Sequence, residues 1–241
     1  EMARLVEKHL KAKNVNIVTS NGVAEFLGTD GELTGIKLKN GNEMECHLAV
    51  VAIGNVPNVT LAREAGLTIG TTGGIATDEY MRTSDKDIYA VGDCIEITNR
   101  ITGKKILAPY GDLANLEGRV AGENAIMGDT VTFPGTIQSG ICKVFDYNAG
   151  STGLSETNAK RNGIDDIVTV FNASTDKPGF MGGQLVVTKL VAQKATGKIL
   201  GAQVVGPGNV AKQVAQWALA IMGGMTDRKS TRLNSSHESP S

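Results

Sequence analysis

Aromatic residues make up only 4% of this chain, with a single tryptophan, and the formal net charge is −1. A general nucleic-acid binder needs a basic surface, and a single-strand binder needs aromatic stacking platforms, so neither class is expected. Long apolar runs are missing as well. The longest, Leu48–Ile53 and Trp217–Met222, fall far short of the roughly 20 residues that a membrane-spanning helix requires. No signal-peptide pattern is visible. Cysteine is scarce: Cys46, Cys94 and Cys142 are widely spaced and odd in number, which argues against a disulfide framework and for a reducing cytoplasm. No spacing suits zinc, since His9 and His47 have no companions, and no metal site is expected. No Ser/His/Asp arrangement suggests nucleophilic catalysis either.

What is present is glycine, 30 of 241 residues, with 41% hydrophobic residues. That composition suits many short strands joined by tight turns, with enough apolar mass for one or two domains. Three- and four-residue spacing of Met2, Leu5, Val6, His9 and Leu10 predicts a helix through Glu1–Asn14. A short apolar strand is expected at Val15–Thr19. Alternating segments at Val23–Leu27, Leu33–Leu38 and Glu43–Leu48 are joined by Gly28-Thr29-Asp30-Gly31 and Asn40-Gly41-Asn42. This is hairpin chemistry, and it predicts an antiparallel meander followed by a buried strand at Ala49–Ile53 that ends at Gly54.

Leu61–Ala65 reads as a turn or two of helix, and Gly70–Gly74 as a loop. Ile97–Lys105 reads as a polar connection. A clear helix follows Pro109-Tyr110-Gly111-Asp112, with Leu113, Leu116, Val120 and Ala121 on one side. From Gly135 onward the pattern changes. Strands are predicted at Ile141–Tyr147, Ile167–Phe171, Gln184–Ala192 and Lys198–Val205, with a helix near Glu156–Asn162 capped by Ser155. An amphipathic helix at Val210–Met222 carries Val210, Val214, Trp217 and Ile221 on one face.

The stretch that organises the rest is Thr83–Cys94, Thr-Ser-Asp-Lys-Asp-Ile-Tyr-Ala-Val-Gly-Asp-Cys. It reads as a polar turn, a short buried strand (Ile88–Val91), and Gly92-Asp93 at the strand end. Glycine there lets backbone approach a ligand closely, and the aspartate sets a carboxylate where open α/β sheets bind ligands. A plain alternative is that Asp93 caps the next segment.

This stretch closely resembles the second flavin-binding motif of the FAD-dependent pyridine nucleotide-disulfide oxidoreductases, nearest to the coenzyme A-disulfide reductase, NADH oxidase and NADH peroxidase branch. The resemblance runs from Met2 to about Thr226. It implies an α/β fold. Residues 1–54 would be the C-terminal part of an NAD(P)-binding domain and 55–134 that of an FAD-binding domain, both Rossmann-like, with an antiparallel meander. Residues 135–226 would form an α+β dimerisation domain that pairs two subunits into a homodimer.

The resemblance implies further that Asp93, beside Gly92, accepts a hydrogen bond from a ribityl hydroxyl of FAD. The run Val50-Val51-Ala52-Ile53-Gly54…Pro57-Asn58 resembles the family's linker, so Gly54 marks the junction of the nicotinamide domain. Val56 stands where the family often carries a basic residue. Tyr110, Gly111 and Asp112 match the helix start that points at the flavin's pyrimidine edge. Asp112 is a departure, because a carboxylate would compete with the flavin for the helix N–H groups; the alternative is an ordinary N-cap. The implied activity is hydride transfer from NAD(P)H to FAD, with electrons passed on to a disulfide, a peroxide or oxygen. Reduction of a small carrier such as rubredoxin or ferredoxin, and a non-catalytic dimerisation or binding module, are the alternatives.

Two G-x-G-x-x-G fingerprints and the redox cysteine of the family would lie upstream of Glu1, so the chain is read as a fragment with no catalytic residue of its own. Gly206-Pro207-Gly208-Asn209-Val210-Ala211 fits G-x-G-x-x-A. It follows a strand that the turn Ala195-Thr196-Gly197 pairs antiparallel with its neighbour, so it is read as a domain turn and not as a dinucleotide site. Asp227–His237 reads as translated sequencing-adapter DNA, with a disordered polar tail as the alternative.

Overall fold

The computed structural model describes residues 1–227; the suspected adapter tail lies, past Asp227, outside the described residues. The chain divides into two compact units, a smaller one over Glu7–Val56 and a larger one comprising Glu1–Val6 and the chain from Pro57.

Helix α1 spans Met2–Ala12, as its spacing predicts. In the smaller unit the meander is present. Strand β1 (Val23–Thr29) pairs antiparallel with β2 (Glu32–Leu38), which pairs antiparallel with β3 (Glu43–Glu45). Asp30 and Gly31 both take positive φ, 53° and 84°, which is the turn geometry a two-residue hairpin favours. The strands expected at Val15–Thr19 and Ala49–Ile53 do not form. The last rung after β3 is the Cys46 N–H on the Thr34 carbonyl. Beyond it no described strand lies alongside, and Leu48, Val50 and Ile53 stay exposed. An apolar run forms a strand only where a neighbour accepts its ladder.

The larger unit opens with helix α2 (Thr60–Glu64). Strand β4 (Ile75–Ala76) runs parallel to β5 (Ile95–Thr98), and β5 pairs antiparallel with β6 (Lys105–Ile106). The expected polar connection over Ile97–Lys105 is therefore a hairpin. Its turn is tied by Asn99, whose Oδ1 accepts from the Ile101 and Thr102 N–H groups at 3.0 Å each. The expected strand Ile88–Val91 reduces to one bridge, Tyr89 with Arg82. Helix α3 (Gly111–Met127) covers a core of Val59, Ala62, Ile75, Met81, Ile95, Ile97 and Ala121.

The rest is a five-stranded antiparallel sheet. Its strands are β7 (Gly140–Val144), β8 (Tyr147–Gly153), β9 (Ile167–Thr175), β10 (Leu185–Gln193) and β11 (Ile199–Gly206), in the order β7-β8-β11-β10-β9. Helix α4 (Glu156–Arg161) lies in the connection from β8 to β9, and Ser155 caps it by accepting from the Asn158 N–H at 3.1 Å. Helix α5 (Val210–Met222) seats Val210, Val214 and Ile221 in the cores beneath the sheet, with Trp217 half-buried beside them. Strand β8 carries no strand pattern in the sequence, because Asn148, Gly150 and Gly153 are poor strand formers. Its place between β7 and β11 makes it a strand regardless.

Candidate functional site

Gly92 has φ +85°, a left-handed conformation that costs any residue with a Cβ. A Cβ there would sit 3.6 Å from the Ala114 Cβ, an ordinary contact, so the backbone angle and not crowding selects glycine. That contact also locates the turn: Gly92 rests on the first turns of α3. One helical turn further along, the Glu117 carboxylate accepts a hydrogen bond from the Gly92 N–H at 2.7 Å. Ala114 and Glu117 lie three residues apart and therefore share one helix face.

This contact brings Gly92 and Asp93 to the amino-terminal half of the helix that begins at Tyr110, Gly111 and Asp112. Five of the six residues singled out in the sequence thus come from two segments that the fold joins. Gly54 is not among them. It belongs to the smaller unit, where it takes φ +98°, and a Cβ at that position would meet nothing within 4 Å.

The Asp93 side chain is exposed. Among the described residues no hydrogen bond or ion pair engages its carboxylate, so the capping alternative fails. Asp112 is not an N-cap either. Tyr110 holds that position with extended backbone (φ −123°, ψ 124°) and no side-chain hydrogen bond to the helix, and Asp112 already lies in the first turn. The Tyr110 hydroxyl reaches toward β7, 3.9 Å from where a Cβ on Gly140 would stand. The first-turn amides of α3 are thus left without a side-chain cap, beside a free carboxylate one loop away. An amphoteric ligand carrying hydroxyls and an electron-rich edge finds an acceptor and a set of donors together.

Glu117 is the buried polar residue at this turn that the sequence pattern does not reveal. Apolar periodicity pointed to Leu113, Leu116, Val120 and Ala121 as the inner face. Leu116 is half exposed, while Glu117 and Asn124 are buried at 2% and 1% exposure. Burial raises the Glu117 carboxyl above its ordinary range, the Gly92 hydrogen bond opposes that, and the Asp93 charge adds to it. Burial likewise pushes the Cys94 thiol up, with Asp93 and Glu117 contributing. Cys94 is half-buried and donates to the Val91 carbonyl at 3.5 Å. It is therefore a poor thiolate nucleophile.

The G-x-G-x-x-A stretch is occupied by the protein itself. Asp176 Oδ2 accepts from the Asn209 N–H at 3.0 Å at the amino end of α5, and a Cβ on Gly208 would collide with Val186 and the Gln184 carbonyl. The strand before it, β11, is antiparallel to both neighbours. Among the described residues no group of three or more His, Cys, Asp or Glu side chains is arranged to hold a metal ion, and no helix is long and apolar enough to cross a membrane.

Comparison with known proteins supplies the context. Residues 1–109 match the family described as pyridine nucleotide-disulphide oxidoreductase, and residues 140–237 match the dimerisation domain of the same family. A solved NAD-dependent persulfide reductase from A. fulgidus superposes with a TM-score of 0.90 at 48% identity, over 94% of this chain and 41% of that one. An NAD(P)H sulfur oxidoreductase (CoA-dependent) from Pyrococcus furiosus is 36% identical over 79% of this chain and 43% of its own length. An NADH oxidase from Methanocaldococcus jannaschii is 33% identical over 92% and 48% respectively. The chain spans about half the length of the curated relatives it matches.

Proposed function

From the premise that the chain belongs to the pyridine nucleotide-disulphide oxidoreductase family, in its coenzyme A-disulfide reductase, NADH oxidase and persulfide reductase branch, we propose that it forms part of an FAD-dependent NAD(P)H oxidoreductase. When bound, FAD supplies the transfer of hydride from NAD(P)H and of electrons onward to a small disulfide, persulfide, peroxide or oxygen. The residues of this chain orient and tune it. Asp93 accepts from a ribityl hydroxyl. The uncapped amides at Gly111 and Asp112, next to Tyr110, would hold the flavin's electron-rich ring edge. Asp112 adds a negative charge to that helix end and makes it a weaker anion site than an uncharged first turn would be.

Gly54 closes the nicotinamide-binding part, residues 1–54, and 55–134 belong to the flavin-binding part. Residues 135–226 pair two subunits about a two-fold axis. Val168 and Val170 support this, as exposed apolar side chains alternating along β9 at the edge of the sheet. The three free thiols and their wide spacing favour a reducing cytoplasm.

The observation that carries the reading is the unengaged Asp93 carboxylate next to Gly92, whose N–H is bonded to Glu117 on the helix of Gly111 and Asp112. A hydrogen bond to a charged group contributes about 1.5–3 kcal/mol, and micromolar affinity requires about 8 kcal/mol. The chain alone is therefore expected to lose flavin on purification and to bind added FAD more weakly than micromolar. The test is to add FAD in millimolar excess to the isotope-labelled chain and follow amide signals. Shifts at Gly92, Asp93 and Gly111 that vanish in Asp93→Ala support the reading. Shifts elsewhere only, or none, overturn it.

A further inference from the structure

The Glu117 carboxylate is buried, and no lysine or arginine is among the groups that act on it. Its partner is a backbone N–H, that of Gly92, at 2.7 Å. A buried carboxylate without a cation is costly, and a helix that only needed packing at this position would carry an apolar side chain. The partner is also specific. Gly92 is the residue whose left-handed φ turns the chain toward Asp93, and because glycine takes either sign of φ freely, a neighbour must fix its conformation.

We propose that Glu117 is the positioning residue of the Asp93 site: by holding the Gly92 amide it fixes the turn that presents the Asp93 carboxylate to a hydroxyl-bearing ligand. The inference rests on the reading of Asp93 as a ligand contact and adds the residue that sets its geometry. It has a chemical consequence. A carboxylate accepts more strongly than a carboxylic acid, so protonating Glu117 loosens the turn. The titratable groups facing it are the Asp93 carboxylate and the Cys94 thiol, both on the same turn. A negative Asp93 favours the protonated form of Glu117.

The test needs no cofactor, so its failure is distinct from a failure to bind FAD. The labelled chain is titrated from pH 4 to pH 9, with amide shifts and hydrogen exchange read at Gly92 and Asp93 and, as a reference for global structure, at Ile95 and Ile97. In the natural chain Gly92 and Asp93 are expected to follow one shared titration with a midpoint above the ordinary glutamate range. Asp93→Asn lowers that midpoint. Glu117→Gln keeps an acceptor but no charge, so it abolishes the titration while Gly92 exchange stays slow. Glu117→Leu speeds exchange at Gly92 at least about tenfold, the factor that ~1.4 kcal/mol makes, and leaves Ile95 and Ile97 unchanged. If Glu117→Leu fails to fold, Glu117→Gln decides. The proposal is overturned if the titration persists in Glu117→Gln, if Gly92 responds and Asp93 does not, or if exchange rises equally at all four amides.

Discussion

The Asp176 carboxylate accepts from the Asn209 N–H at 3.0 Å and from the Gln184 N–H at 2.8 Å. One side chain, in the loop after β9, thus ties the start of β10 to the start of α5. It also occupies the helix end that a G-x-G-x-x-A sequence would otherwise offer to a phosphate. The two backbone hydrogen bonds hold its carboxyl below the ordinary aspartate range.

Pyrophosphate is therefore expected not to bind at Gly206–Asn209. Amide NMR of the labelled chain with added pyrophosphate should give no shift at Gly208 or Asn209. Asp176→Ala should lower the melting temperature by a few degrees. Because the folded-state pKa is depressed, the stability from Asp176 is complete above its unfolded value of 3.8. It is lost as pH falls through the lower folded value. The Asp176→Ala and natural chains should therefore converge in melting temperature toward strong acid. A gap that stays constant down to strong acid would contradict this assignment.

Lys189 supplies a second acid-side prediction. Its side chain is 6% exposed, and its Nζ lies 2.9 Å from both Glu156 Oε2 and Glu1 Oε2. It also stands 5.1 Å over the Phe171 ring, which is its cross-strand partner. The hydrogen bond from Lys189, helped by one from Lys160, holds Glu156 down at about 2. The Glu156 contribution is then complete above pH 4.5 and fades between 4.5 and about 2. Lys189 itself is raised, despite its burial, by its hydrogen bonds to the two glutamates. Its share is complete below pH 10.5 and is lost as pH rises through the higher folded value. Glu156→Gln should flatten the melting-temperature curve between pH 4.5 and about 2, with a smaller effect from Glu1→Gln, because Glu1 is the more exposed partner.

The fold was legible where local pattern and tertiary need agree. The Val210–Met222 helix has its boundaries written in the Asn209 cap and in the spacing of Val210, Val214 and Ile221. The hairpin at Asp30-Gly31 is written in turn chemistry. Legibility failed where a segment depends on a neighbour. Leu48–Ile53 and Ile88–Val91 carry strand composition, but a strand is a pairing; among the described residues Leu48–Ile53 finds no partner strand, and Ile88–Val91 keeps only the bridge of Tyr89 with Arg82. Strand β8 is the converse: its residues disfavour strand, and its two neighbours impose it. The site shows the same split. Gly92 and Asp93 were visible as a motif, and Tyr110–Asp112 as a helix start. Their joining was invisible, because Glu117, which holds Gly92, breaks the rule that the inner face of a helix is apolar.

Cysteine reactivity separates the three thiols. Cys142 is exposed on β7, whereas Cys46 and Cys94 are half-buried. Burial, reinforced by the charges of Asp93 and Glu117, raises Cys94, so little thiolate is present near neutral pH. Iodoacetamide at mildly alkaline pH should label Cys142 first and Cys94 last, read by peptide mass spectrometry. Asp93→Asn should speed labelling of Cys94, because one of the charges opposing its thiolate is gone. Labelling of Cys94 ahead of Cys142 would mean that the 92–94 turn is open.

Asn124 gives the largest expected loss of stability. It is 1% exposed, three residues along α3 from Ala121 and on the same face. Its amide donates to the Tyr80 carbonyl at 3.1 Å and to the Val131 carbonyl at 2.8 Å. Its Oδ1 accepts from the Thr130 and Val131 N–H groups at 3.0 and 3.1 Å. One buried side chain thus satisfies four backbone groups from two loops. Nearby, Arg82 bridges Asp78 and Asp129 at 3.0 and 2.8 Å, but these pairs are partly exposed and contribute little. Asn124→Ala removes four hydrogen bonds at once and leaves a space in the core beside Ala121, at about 2–4 kcal/mol. Asn124→Asp keeps the acceptor and turns both donors into a carboxylate facing carbonyls, so it should be no milder at neutral pH and should recover in part as acid protonates it. Urea unfolding of the three chains at neutral and at mildly acidic pH checks both statements. If Asn124→Asp matches the natural chain at neutral pH, the two carbonyl contacts do not carry the stability assigned to them.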